Sequence, residues 1–152
     1  MSTVTVSRVV EAPVARVWRL VTDLGRRRQW LSAVTGVDLR TAGPFGTGTV
    51  WRESRRLVDD TEVTEEFRVD ECVPQARFVV SSPGTGADYR MTYTFAAIGT
   101  GRHRGATMVT ATQDGGPTAP SGRLLALVLG GLAAETAERA LRRDLDDLAA
   151  AA

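Results

Sequence analysis

The chain has 152 residues, 43% hydrophobic and 24% charged, with a formal net charge of +1. That length suits one domain, 1–152, which can bury a full core without staples. The composition excludes a disordered or collagen-like chain, and with charge so balanced no nucleic-acid partner is expected. The chain opens with Val4 and Val6 alternating against Thr3, Thr5 and Ser7, the period-two pattern of a strand. Glu11-Ala12-Pro13 starts a helix, with Pro13 near the first turn where no N–H is needed. Val14, Val17, Trp18 and Val21 recur at helical spacing, and Gly25 is the expected left-handed residue after the helix end. A second short helix is expected over 26–34. Strands are then expected near 36–41, 48–58, 61–72, 76–82, 88–96 and 105–114. Turn signals at Gly43-Pro44, Asp59-Asp60, Val73-Pro74, Pro83-Gly84 and the glycines at 99 and 101 separate them. After a loop at 115–122, one long helix over 124–150 carries an apolar stripe that includes Leu125, Val128, Leu132, Leu141, Leu145 and Leu148.

The order is strand, two short helices, six strands, long helix: an α+β chain. Short connections favour antiparallel neighbours. Seven strands present more apolar face than two short helices cover, so the long helix is expected to lie across the sheet.

The segments VVEAPVARVWRLVTDLGRRRQWLSAV (9–34), GTGTVWRESRRL (46–57), VPQARFVV (73–80), YRMTYTF (89–95) and GATMVTATQDGG (105–116), with the terminal helix, carry a resemblance. In order and spacing they resemble the START/Bet v 1-like (SRPBCC) superfamily, in its polyketide cyclase/dehydrase-like branch. The resemblance covers nearly the whole chain. It implies a helix-grip fold: a curved seven-stranded antiparallel sheet around the C-terminal helix, with a deep cavity between them. It also implies a hydrophobic small-molecule partner, polyketide- or lipid-like. Catalytic residues vary between branches, so none carries over.

Strand parity supplies the candidates. Trp51 and Leu57 mark the inward face of 48–58, which brings Glu53 and Arg55 inside; Phe67 and Val69 do the same for Glu65. Buried charges are costly unless paired. Glu53, Arg55 and Glu65 are thus either a structural ion cluster or a polar spot for ligand anchoring and proton transfer. Tyr89, Met91, Tyr93 and Phe95 share one face of 88–96. Tyr89 and Tyr93 are candidates to hydrogen-bond a carbonyl, and Met91 suits an adaptable apolar wall. Parity is ambiguous on 105–114. The resemblance places Val109, Ala111 and Gln113 inward, with Ala111 widening the cavity. Trp51, Phe67, Tyr89, Met91 and Tyr93 are expected to line one pocket facing Leu125, Val128 and Leu132.

Other motifs read as structural. Trp18 pins the first helix to the sheet, and Trp30 either does the same or forms a cavity rim. Arg26-Arg27-Arg28 reads as a solvated helix start. The glycines of AGPFGTGTV lack a strand-to-helix context for a nucleotide loop and read as a hairpin or cavity-mouth loop. His103, the only histidine, sits among glycines and arginines in an expected exposed turn. Cys72, the only cysteine, reads as a buried inert thiol, and with one of each neither a four-cysteine zinc site nor a multi-histidine metal site is possible. No lysine occurs, which removes Schiff-base chemistry. No metal or cofactor is expected. No signal peptide is expected from MSTVTVSRVV, and the apolar run 124–134 is shorter than the roughly 20 residues of a membrane helix. The expectation is a cytoplasmic monomer or homodimer with no membrane span. Its function is one of three: binding a hydrophobic small molecule, acting as an aromatase/cyclase or dehydratase on a poly-carbonyl chain in the same cavity, or serving as a protein-interaction domain with a filled cavity.

Overall fold

The structure is a computed structural model and describes residues 2–57, 60–82, 87–117 and 132–152. The strands are β1 (Ser2–Val10), β2 (Val34–Leu39), β3 (Val50–Arg56), β4 (Glu62–Val73), β5 (Arg77–Ser82), β6 (Ala87–Ala97) and β7 (Thr107–Pro117). They form one sheet in the order β1-β7-β6-β5-β4-β3-β2. Every neighbouring pair is antiparallel. Five successive connections therefore join adjacent strands, and β1 adds to the open edge of β7. Register shifts at Val34/Gly36 and Val69/Glu71 interrupt the ladder. Such irregularities increase local twist and help a sheet curve.

Alternation decides which side faces inward. On β1, Val6 and Val10 are buried while Ser7 and Arg8 are exposed. The outer face carries a ladder of short polar side chains. Thr3 donates to Asp114 at 2.6 Å, Thr5 meets Thr112 at 3.2 Å, and Ser7 meets Thr110 at 2.8 Å. These pairs fix the outward face of β7, so Thr107, Val109 and Ala111 point inward and are buried. The ambiguity of that strand is thus resolved by its partner strand, which its own sequence does not contain.

Helix α1 (Val14–Thr22) begins after Pro13, whose φ of −63° is the ring's own value. Val17 and Val21 are its buried residues. The end differs from expectation. Asp23 is the C-cap, and Gly25 lies in a 3-10 turn, Leu24–Arg26, without a positive φ. The second helix, α2, is also shorter than 26–34, spanning only Arg27–Trp30. Leu31, Ala33 and Val34 are nevertheless buried, so the apolar spacing there reports packing more than helix.

Helix α3 (Leu132–Ala151) is the described part of the long terminal helix; the expected turns at 124–131 lie outside the described residues. Ala137, Leu141, Leu145 and Leu148 form its buried stripe. The three leucines join one core with Val6, Val10, Val17, Val109 and Ala111. Each leucine buried there contributes about 1.5–3 kcal/mol. Arg8 on β1 pairs with Asp146 at 3.2 Å, and Ser32 donates to Asp147 through both its N–H and its hydroxyl at 2.9 and 2.8 Å. The curved sheet grips the C-terminal helix, as expected. No helix among the described residues is long and apolar enough to cross a membrane.

Candidate functional site

A cavity opens between the sheet, α1, α2 and the β2–β3 loop. Val21, Leu24, Phe45, Trp51, Phe67, Phe78, Val80, Met91 and Tyr93 supply its apolar and aromatic wall; Arg27, Glu53 and Arg55 supply a polar one. The space open to the centre of a water-sized sphere is about 40 Å³. Four strands contribute because their inward residues alternate: Trp51, Glu53 and Arg55 on β3, Phe67 on β4, Phe78 and Val80 on β5, Met91 and Tyr93 on β6. Phe78 stacks on Tyr93 at 5.0 Å and meets Phe45 edge-on at 5.1 Å. Trp51 lies 5.5 Å from Phe67. Trp18 packs edge-on against Phe45, Phe78 and Phe95 and ties α1 to this aromatic layer.

Phe45 reaches the cavity from the glycine-rich loop. There Gly48 has a φ of +92° and donates its N–H to the Val69 carbonyl at 2.8 Å. A side chain at that φ would be strained, so glycine lets the loop fold back over the sheet.

The polar wall is a chain of buried ions. Arg27 donates from Nε to Glu53 Oε1 at 2.7 Å, and Arg55 donates from Nε to Glu53 Oε2 at 2.7 Å. Arg55 then reaches Asp144 Oδ2 on α3 at 2.8 Å. Side-chain exposure is 12% for Arg27, 2% for Glu53, 22% for Arg55 and 8% for Asp144. The chain cross-ties α2, β3 and α3. Trp51 Nε1 adds a long contact to Glu53 Oε1 at 3.4 Å. Glu65 stands directly opposite Glu53 in the β3–β4 register and is also buried. Its Oε1 and Asp144 Oδ1 have no hydrogen-bond partner among the described residues.

These surroundings set the protonation states. Burial opposes ionisation of Glu53, but Arg27 and Arg55 outweigh it and hold the carboxyl at about 2. Burial likewise opposes the Arg55 charge, and Asp144 and Glu53 overcome it, so the guanidinium is held more firmly charged than usual. Glu65 goes the other way. Burial raises it to about 7, Arg55 offsets this in part, and the Glu53 charge adds to the rise. The Tyr93 hydroxyl is pushed up to about 12, mainly by burial and then by Asp144. At neutral pH the site therefore holds an ionised Glu53, a charged Arg55, a Glu65 carboxyl poised between its two forms, and a neutral Tyr93 phenol.

The structure brings Trp51, Glu53, Arg55, Phe67, Met91 and Tyr93 to one cavity. Glu65 borders it through Glu53. Tyr89 lies in β6, but its side chain is outside the described set, as is that of Leu132; Leu125 and Val128 lie outside the described residues altogether. Val109 and Ala111 do point inward but sit in the closed core rather than on the cavity wall, and Gln113 also lies off that wall. Ala111 therefore does not widen this cavity.

Two ion-chain members were not among the sequence candidates. Arg27 is a correction: the triple arginine is not a uniformly solvated start, because its middle residue turns inward while Arg26 stays largely exposed. Leu24, Arg27 and Leu31 share the spacing of an inward face, which was the available signal. Asp144 interrupts the Leu141-Leu145-Leu148 stripe at three residues beyond Leu141, a polar residue at an apolar position. Cys72 is only half-buried, which is still enough to push its thiol up. Trp30 packs against the core, with its Nε1 buried.

His103 lies in the β6–β7 connection, partly exposed, with its Nδ1 against Glu11. It is remote in sequence and register from the cavity residues. His103→Ala is expected to leave ligand binding or turnover within about twofold of wild type, as for surface substitutions generally. A hundredfold loss in a folded variant, measured by ligand titration, would contradict this.

Comparison with known proteins accords with this architecture. Residues 1–152 match the family described as polyketide cyclase / dehydrase and lipid transport. A comparison with curated proteins finds no match. Among solved structures, TTHA0849 from Thermus thermophilus is 25% identical, with a TM-score of 0.72 and 99% of each chain covered. A START superfamily protein from Mycobacterium smegmatis is 12% identical, with a TM-score of 0.74 over 97% of this chain and 94% of that one. The di-domain ARO/CYC BexL from the BE-7585A biosynthetic pathway is 22% identical, with a TM-score of 0.68 over 98% of this chain and 48% of its own. With its antiparallel sheet closed on a C-terminal helix and a match across its whole length, this chain has the START/Bet v 1-like helix-grip fold and belongs to the polyketide cyclase/dehydrase and lipid transport family.

Proposed function

We propose that the protein binds a hydrophobic small molecule, polyketide- or lipid-like, in the cavity beneath its curved sheet, as a single-domain cytoplasmic protein. One observation carries this reading: an aromatic wall of Phe45, Trp51, Phe67, Phe78 and Tyr93 faces a polar wall whose charges are already paired. Mostly apolar pockets with a few convergent polar groups are the usual form of small-molecule sites. The apolar wall supplies binding energy, and the spare N–H groups of Arg27 and Arg55 orient a polar group on the ligand. Native mass spectrometry of freshly purified protein tests this. A bound mass that leaves on denaturation and partitions into organic solvent is the expected result. A protein that stays free of adducts after incubation with an apolar extract of its own host would count against it.

A second reading, an aromatase/cyclase or dehydratase, draws on one specific observation. Glu65 is held near 7 beside a permanently ionised Glu53, and a carboxyl tuned to the working pH is what proton transfer needs. In that reading Glu65 moves protons. Arg55 and Tyr93 stabilise the enolate oxygen of a poly-carbonyl chain.

A further inference from the structure

Resting on the reading of the cavity as a ligand site, the charge balance of its polar wall narrows the ligand class. Among the described residues Arg27 and Arg55 are the two cations of the wall, and both are paired. Arg27 is bonded to Glu53, and Arg55 to Glu53 and Asp144, all at 2.7–2.8 Å. Two guanidiniums against two carboxylates sum to zero among the described residues. Glu65, the remaining charged-type side chain beside them, can only add negative charge when it ionises. The orphaned Oε1 of Glu65 and Oδ1 of Asp144 add acceptor character.

We propose that the cavity selects uncharged ligands carrying a carbonyl or hydroxyl oxygen, and discriminates against carboxylates and phosphates. A carboxylate entering here finds guanidinium N–H groups but no uncompensated positive charge. It would lose its hydration and gain a polarised hydrogen bond in place of an ion pair, beside two buried carboxylates of its own sign. A neutral carbonyl or hydroxyl gives up far less hydration and is served by the same N–H donors. Glu53 and Asp144 are therefore specificity-determining: they hold the arginines in place and cancel their charge. Free fatty acids and phospholipid headgroups are then excluded from this wall, whereas ketones, esters, phenols and alcohols fit it.

Two probes of nearly equal size separate charge from shape. 2-Naphthalenemethanol and 2-naphthoate are titrated at neutral pH by calorimetry into wild type, Asp144→Asn and Glu53→Gln. In wild type the alcohol is expected to bind at least about tenfold more tightly than the carboxylate. Each substitution removes one negative charge and leaves an arginine uncompensated. The ratio of naphthoate to alcohol affinity should then rise roughly tenfold or more. Either variant suffices if the other does not fold, as judged by near-ultraviolet circular dichroism. Naphthoate binding wild type as tightly as the alcohol, or variants that move both probes equally, would overturn the charge selectivity alone. Failure of both probes to bind wild type would overturn the ligand-site reading beneath it.

Discussion

Replacing Arg55 with methionine is expected to cost about 3–5 kcal/mol of folding stability, the usual cost of removing one partner from a buried ion pair. Arg55 is the centre of the chain, bonded at 2.7 Å to Glu53 and at 2.8 Å to Asp144. Methionine fills much of its volume, so the loss reports charge rather than a cavity. Glu53 keeps Arg27, but Asp144 is left buried with no guanidinium. Urea denaturation at neutral pH measures the loss. The double variant Arg55→Met/Asp144→Asn should recover a large part of it, because the stranded charge is then gone as well. A loss below about 1 kcal/mol in the single variant, as for exposed pairs, would show that the chain is effectively solvated.

The second large effect concerns Glu65 and pH. Its carboxyl titrates near 7 in the folded protein, against an ordinary value of 4.5. The proton is therefore held more tightly by the folded state. Its contribution to stability is fully present below about 4.5 and is lost as pH rises through about 7. Glu53 has the opposite sign: held at about 2, it contributes stability above about 4.5 that is lost as pH falls through about 2. The groups facing Glu65 from its neighbours are Glu53 and Arg55, and neither changes charge between pH 5 and 8. Stability is expected to fall by about 2–3 kcal/mol between pH 5 and 8. Glu65→Gln should abolish most of that fall. At pH 8 the variant should melt later than wild type, and at pH 5 the two should nearly coincide. Identical pH profiles would mean that Glu65 ionises freely in the fold.

Much of the architecture was legible because a strand has a rigid period. Once Trp51 and Phe67 were read as inward, the parity of β3 and β4 placed Glu53, Arg55 and Glu65 inside, and the register sets Glu53 opposite Glu65. Turn residues separated the strands to within a few positions. Helix ends were less legible: local spacing at Leu24, Trp30 and Leu31 continues through a 3-10 turn and into an extended segment without a change of pattern. The site was legible only where it sits on strands. Arg27 looks like its two neighbours in sequence, and what distinguishes it is Glu53, distant in the chain. Asp144 reads as one more charge on a charged helix until Arg55 is placed across from it. Phe45 lies in a loop with no period to read. Tertiary partners select these residues, and a single sequence carries no record of them beyond a polar residue at an apolar position.

The claim that a real ligand cavity lies against the aromatic wall is tested most directly at Met91, which lines it and is only partly buried. The measurement pairs a fluorescence titration of an apolar probe, 1-aminoanthracene, with urea melts of wild type and Met91→Trp. The indole should occupy the space the probe would take. Wild type is expected to bind one probe saturably, and Met91→Trp to lose that binding while unfolding within about 1 kcal/mol of wild type. In a filled core the larger side chain would instead cost about 1–3 kcal/mol through strain. A variant that binds the probe like wild type and melts much earlier would contradict the cavity at this position, and with it the small-molecule function.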